Sequence, residues 1–327
     1  MKKMKINNGR GDDSIHRLFF YLVEKGVHVK QYYIKKPHVL YLHTNQGMKI
    51  IKKYRYEGTI NRTFQFIQAL NEYGFNAAVN FEPFPNGEFV IKAREGVWGI
   101  MPYLQTKSLT SYEQSNHRKG VIELLHSYHK AASFAWYDVK DIFPTYELTY
   151  VWQKRLARFI HHKKLIESII GKRTYKVIED LCQNSLIAMH KYESEEQKHP
   201  QTIIHGDTAS HNFLRGINNE YYLIDFDCAA QSTLFTDYIQ LAQRFLLQEN
   251  FSIEKLLKER GMTHLFDSPY VIAALCFPAM ILLPWYTRLT NISSSYRELI
   301  QLKKWTEKQV IKAELTNREI LRIFPNI

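Results

Sequence analysis

β-Branched and aromatic residues crowd three short early runs, His28–Ile34, His38–Thr44 and Gly47–Arg55, separated by turn-forming residues. Such runs predict three consecutive strands. The period then changes. Phe64, Ile67 and Leu70 recur on one face of a helix predicted over Asn61–Tyr73, with Asn61 as its cap and Gly74 as its stop. Three more strands are expected at Ala78–Phe81, Glu88–Lys92 and Val97–Pro102, the first having the weakest pattern. A Pro85-Asn-Gly87 turn lies between the first two. Gln105–Thr110 is a polar connector, and beyond it the pattern becomes helical. Val121, Leu124, Leu125 and Tyr128 keep the spacing of a buried helix face, as do Trp152, Leu156 and Phe159, and then Val177, Ile178 and Leu181. The expected organisation is α+β: a β-rich lobe over residues 1–104 and a mainly helical lobe over 105–327.

One segment interrupts the helices. Thr202-Ile-Ile enters His205-Gly-Asp-Thr-Ala-Ser-His-Asn212, and two apolar runs, Phe213-Leu214 and Tyr221–Ile224, flank a turn at Arg215–Glu220. This reads as a hairpin within residues 202–227, closing on Asp225-Phe-Asp227. Asp207 stands five residues before Asn212, the Asp-x-x-x-x-Asn spacing of a kinase catalytic loop, and Asp225-Phe-Asp stands where Asp-Phe-Gly would be. Phosphoryl transfer needs such a set. A carboxylate accepts the proton of the attacking hydroxyl, while an amide and a second carboxylate hold Mg²⁺ on the nucleotide phosphates. Asp207 is the candidate catalytic residue, and Asn212 and Asp225 are the candidate metal ligands.

Composition narrows the setting. At 327 residues with 45% apolar content, the chain has enough material for a sizeable core. Its three cysteines are scattered and form no metal or disulfide pattern, which fits a reducing compartment. The first residues carry charge but no apolar leader, so a cytoplasmic protein is expected. Val271–Tyr286 is the longest apolar run. It is short and contains Pro278 and Pro284, which predicts a buried helix pair and no membrane partner. The net charge of +12 favours acidic partners, but no nucleic-acid motif accompanies it.

The chain resembles the aminoglycoside phosphotransferase and choline kinase superfamily, which shares the protein-kinase fold. Within it the chain looks most like the spore coat S family of kinase-like proteins. The residues that carry this likeness are His205-Gly-Asp-Thr-Ala-Ser-His-Asn212, Leu125-His-Ser-Tyr-His-Lys-Ala-Ala132, and Leu275-Cys-Phe-Pro278 ahead of Trp285-Tyr286. The resemblance implies a two-lobed fold and ATP- and Mg²⁺-dependent transfer to a small-molecule acceptor. It also implies a place on the spore coat among spore coat proteins, with a catalytically weak structural role as the alternative. A fold of this kind has five strands and one helix in its first lobe, so the six strands expected here are one too many. Lys52, in Ile50-Ile-Lys52, matches the phosphate-clamping lysine, and Lys53 would point to the other face. Ile100–Leu104 stands at the inter-lobe hinge, with the backbone near Tyr103 and Leu104 reading the adenine. By the same resemblance His129, His205 and Asp237 support the catalytic loop without doing chemistry.

Two features depart from the family pattern. The turn Ile34-Lys-Lys-Pro-His38 has no glycine to approach phosphate closely. The helix that should supply a glutamate to Lys52 offers only Glu72, at its far end, with Glu57 before it.

Overall fold

The computed structural model describes residues 13–94, 96–290 and 296–327. These fall into two compact units. One contains residues up to Leu109 together with Leu214–Asp227; the other contains Thr110–Phe213 and Cys228–Ile327. The sequence pattern assigns the hairpin of residues 202–227 wholly to the second lobe, but most of it groups with the first.

The first unit opens with a helix that the sequence pattern does not announce, α1 (Asp13–Glu24). Three strands follow, β1 (Val29–Lys36), β2 (Val39–Thr44) and β3 (Gly47–Tyr54), and then α2 (Glu57–Glu72). After these come β4 (Ile91–Ala93), β5 (Gly96–Pro102) and a short β6 (Thr106–Ser108). The first five strands form one sheet in the order β1-β2-β3-β5-β4. One face holds Leu40, Leu42, Ile51, Trp98 and Ile100, which cluster with Leu18 and Leu22 of α1. Side chains alternate across a strand, so Lys52 and Tyr54 share the opposite face, where Tyr54 packs with Ile60 of α2 and with Phe81. Gly99 in β5 makes this packing possible, because a Cβ there would sit 2.7 Å from the Phe81 ring.

Two local expectations are corrected. Helix α2 starts four residues before Asn61, at Glu57, and its N-cap Tyr56 makes no side-chain capping bond. Gly58 in that first turn masks the start. Ala78–Phe81 is not a strand. It makes an isolated bridge from Ala78 to Leu223, and a second bridge joins Glu82 to Ile100. Removing it leaves the five-stranded sheet.

The second unit is helical. Its first part contains α3 (Ser115–Val139), α4 (Leu148–His161), α5 (Lys163–Ile170) and α6 (Lys172–Glu196), leading into β7 (Gln201–Ile204). Strands β8 (Phe213–Gly216) and β9 (Tyr221–Leu223) make the hairpin, with β6 on the outer side of β8. The hairpin turn places Asn219 at φ 71, a left-handed conformation that asparagine tolerates. Strand β10 (Ala230–Thr233) returns antiparallel to β7, with Ala230 opposite Ile204. Helices α7 (Phe235–Leu246), α8 (Ile253–Lys258), α9 (Pro269–Cys276), α10 (Ala279–Thr290) and α11 (Tyr296–Ile323) complete the chain.

The apolar run Val271–Tyr286 becomes α9 and α10, bent by 52° at the break before Ala279. Tyr270 to Cys276 are all buried, and Trp152 of α4 stacks on Phe277 at 4.5 Å between ring centroids. Among the described residues no single helix is long and apolar enough to cross a membrane. None of the three cysteines forms a disulfide.

Candidate active site

Within the first unit, β3 delivers Lys52 to a pair of carboxylates. Its ammonium lies 2.6 Å from Asp225 Oδ1 and 2.8 Å from Asp227 Oδ2. Lys52 is buried, and it keeps its charge. Burial pushes its pKa down, but the two carboxylates outweigh that effect and the net direction is upward. Lys53 does point the other way, over the Trp98 ring. Asp225 adopts φ 68, a sparsely populated conformation that local structure must hold in place. Phe226 provides that hold, being buried with its ring against Phe66 of α2. Asp227 also accepts a hydrogen bond from Tyr54, and burial pushes its carboxyl pKa up despite Lys52.

The helix glutamate is missing from this arrangement. Glu57 lies in the first turn of α2 and pairs with Lys92 at 2.7 Å. Strands β1 and β2 run nearly to their tip, pairing Lys36 with Val39, so only Pro37 and His38 turn the chain. At the end of β5, Tyr103 is exposed and meets Tyr41 edge-on at 5.8 Å. Leu104 follows it, half-buried and outside any strand.

Within the second unit, Asp237 organises the loop after β7. It is fully buried near the start of α7 and accepts the backbone N–H of His205 at 2.7 Å and of Gly206 at 2.8 Å. His129 Nε2 of α3 lies 3.1 Å from its Oδ2. Burial alone would raise the Asp237 pKa, but these donors and the His205 ring hold it below the usual carboxylate range. The His205 ring is wholly buried, and its Nδ1 accepts the Asp207 N–H at 3.3 Å. Gly206 sits at φ 78, where a Cβ would meet the Cys228 carbonyl oxygen at 2.2 Å. The loop backbone is therefore fixed from three sides.

Asp207 and Asn212 meet on this loop. Asn212 Nδ2 donates to the Asp207 carbonyl at 3.0 Å and to its carboxylate at 3.1 Å. Those two acceptors orient the amide, so Oδ1 faces away from them. Asn212 Oδ1 is buried and has no hydrogen-bond partner among the described residues. A buried oxygen acceptor left open in this way suits a hard cation, and Mg²⁺ takes oxygen ligands. Asp225 offers the same donor type. Among the described residues no three His, Cys, Asp or Glu side chains cluster to hold a metal by themselves. Mg²⁺ is commonly held by one or two protein oxygens and completed by substrate phosphates.

Two residues beside these groups escape the sequence reading. Arg244 places Nη2 2.7 Å from Asp207 Oδ1. It lies seven residues after Asp237 on α7, close to two full turns, and that spacing is the available signal. Asp227 is visible inside the Asp225-Phe-Asp motif, but only the structure shows it sharing Lys52. The large aromatic residues of α4 and α10 divide. Trp152 and Trp285 are core, with Trp285 Nε1 donating to Thr306, while Tyr150 and Tyr286 are exposed.

The model of the phosphotransferase enzyme family matches residues 37–256. No curated protein sequence matches the chain. Among solved structures, the chain is similar to an aminoglycoside phosphotransferase from Alicyclobacillus acidocaldarius, with 14% identity, 91% of this chain and 93% of the other covered, and a TM-score of 0.67. It is similar to the AMP-bound complex of a spectinomycin phosphotransferase, with 14% identity, 92% and 98% covered, and a TM-score of 0.65. A choline kinase from Streptococcus pneumoniae shares 12% identity over 91% and 99% of the two chains, with a TM-score of 0.54. At these identities the likeness establishes the kinase-like α+β fold.

Proposed function

The chain belongs to the phosphotransferase enzyme family, and from that premise we propose that it transfers the terminal phosphoryl group of ATP, with Mg²⁺, to a hydroxyl of a small molecule. The observation that carries this reading is the open Asn212 oxygen beside Asp207, on a loop fixed by Asp237. Most buried acceptors in folded proteins are paired, so an open one beside Asp207 favours a ligand there. Solved proteins of similar fold include an AMP-bound phosphotransferase, which supports nucleotide use.

Each residue then has a role. Asp207 accepts the proton of the acceptor hydroxyl, and Arg244 fixes the orientation of its carboxylate. Asn212 and Asp225 are the residues that would ligate Mg²⁺, and the ion, when bound, would supply neutralisation of charge developing on the phosphates. Lys52 binds the nucleotide phosphates. Asp227 gives that lysine the counter-charge that a helix glutamate would otherwise supply. The backbone at Tyr103 and Leu104 reads the adenine. His129, His205 and Asp237 hold the loop and take no part in proton transfer.

The test is turnover. ADP release from wild-type protein is followed with pooled small-molecule alcohols and aminoglycosides as acceptors. Asp207→Asn should lower kcat by at least about a hundredfold, the scale of a general base, while Mg·ATP still binds. Acceptor-dependent ADP release that survives Asp207→Asn unchanged would remove Asp207 from the mechanism.

A second reading has its own support. Glu57 is engaged by Lys92, and the β1–β2 tip is a two-residue turn without glycine. Both features weaken the hold on nucleotide. They favour a kinase-like scaffold that acts by assembly, on the spore coat if the family likeness extends that far. In that case Asp207→Asn would leave spore-coat localisation and resistance intact.

A further inference from the structure

Strand β1 stands at one end of the five-stranded sheet, and among the described residues it pairs with β2 alone. In an antiparallel pair the N–H and C=O groups of alternate residues point away from the partner strand, so β1 turns a row of them outward. Register shifts between Val29 and Gln31 and between Ile34 and Lys36 bracket a regular central stretch, residues 31–34. Every residue from 30 to 36 is exposed.

Helix α1 runs beside this edge. Tyr32 and Ile34 stand opposite Leu42 and Leu40, which cluster with Leu18 and Leu22 of α1. Cross-strand partners share a face, so Tyr32 and Ile34 lie on the side of the sheet that α1 covers. Phe19 of α1 meets the Tyr32 ring edge-on at 4.9 Å. Val23 follows Phe19 by one helical turn. Phe20, Val23, Tyr32 and Ile34 are between 39% and 63% exposed, so apolar surface stands open along the helix and the strand edge together.

The charge of the strand has one sign. β1 carries Lys30, Lys35 and Lys36 and no carboxylate. Lysines on an edge bar a strand of like charge. Antiparallel pairing with a second copy about Tyr33 would set Lys30 against Lys36. The chain's own first residues include Lys2, Lys3, Lys5 and Arg10, of the same sign. The same lysines attract a strand that carries carboxylates.

We propose that the β1 edge is a docking site for an acidic extended segment of a partner protein, which adds to the sheet as a further strand, its main chain pairing along residues 31–34 and its apolar side chains lying against Phe20, Val23 and Tyr32. Main-chain pairing supplies affinity, and the alternation of acidic and apolar side chains supplies specificity. Docking here does not depend on the phosphotransferase reading.

The test uses a fluorescent peptide as long as β1, alternating glutamate and valine, titrated with the full chain and followed by anisotropy. Wild type should bind it saturably. A lysine–valine peptide of the same length should bind at least about tenfold more weakly, and so should the glutamate–valine peptide N-methylated throughout, which keeps its charge and loses its N–H donors. Lys30→Glu with Lys35→Glu, both at exposed positions, should weaken the acidic peptide by at least about tenfold. In sedimentation without peptide, wild type and Tyr33→Arg should behave alike. Absence of saturable binding to wild type would overturn the proposal. Equal binding of the lysine–valine peptide would remove the charge complementarity, and equal binding of the N-methylated peptide would remove strand addition. Unchanged affinity in the double variant would place the peptide elsewhere. A wild-type dimer that Tyr33→Arg converts to monomer would put a second copy on the edge. Each of these four results would also overturn it.

Discussion

Gly206 shows how much of the candidate site depends on single residues. At its φ of 78, a Cβ would stand only 2.2 Å from the Cys228 carbonyl oxygen, which leaves no room for a side chain. Gly206→Ala should therefore cost about 2–4 kcal/mol, through both strain and displacement of the loop. Urea unfolding would measure it, and a cost near zero would mean that the loop can move without loss. The sequence indicates a good part of this site at the residue scale. Asp207, Asn212 and Asp225 stand out because their spacing is short-range, and Lys52 because β alternation separates it from Lys53. Arg244 and the use of Asp227 are not legible. Both depend on ion pairs that bring residues together across 37 and 175 positions of chain, and no local pattern encodes them.

At the scale of elements, the strands are legible where both faces differ in burial and obscure where they do not. β2 alternates in burial along its length, but Ala78–Phe81 has an apolar composition with another purpose, since Phe81 fills the space above Gly99. The contact also fixes the expected effect of Gly99→Val. Its branched side chain would displace Phe81 and Ile60, whose nearest atoms lie 2.7 and 3.2 Å from a Cβ, and should cost about 1–3 kcal/mol by overpacking. Because this face of the sheet also carries Lys52, nucleotide affinity should fall with stability. A Gly99→Val protein that unfolds at the same urea concentration as wild type would show that Phe81 has room to shift. The short strands β6 and β10 escape the sequence reading for the reason that Arg244 does. Each exists through a distant partner, β6 through β8 and β10 through β7.

The molecule as a whole carries a net charge of +12 and a buried carboxylate outside the candidate site whose titration should register in global stability. Glu196 ends α6 with its carboxylate accepting a hydrogen bond from Thr233, and burial pushes its pKa up from 4.5 to about 7. The unfolded chain releases this proton near pH 4.5, whereas the folded chain keeps it until about pH 7. Between those values the unfolded state binds fewer protons, so stability falls as pH rises and then levels above pH 7. The loss has an upper bound of about 3 kcal/mol, from about 1.36 kcal/mol per pKa unit. Glu196→Gln keeps the acceptor for Thr233 and carries no charge. It should flatten the stability profile between pH 4.5 and 7 and raise stability at pH 8 by about 1–3 kcal/mol. Urea unfolding at about pH 5 and pH 8 checks this, and parallel profiles for the two proteins would assign the slope to other groups.

The central claim is that this kinase-like chain is a working nucleotide site despite lacking a helix glutamate and a glycine-rich turn. Calorimetric titration with Mg·ATP, on wild type and on Asp225→Ala, tests it most directly. The account predicts metal-dependent binding by wild type in the micromolar range, about −8 kcal/mol, with loss of that binding in Asp225→Ala while the fold persists. A well-folded wild-type protein that binds no Mg·ATP would contradict the account and leave assembly as the function of the scaffold.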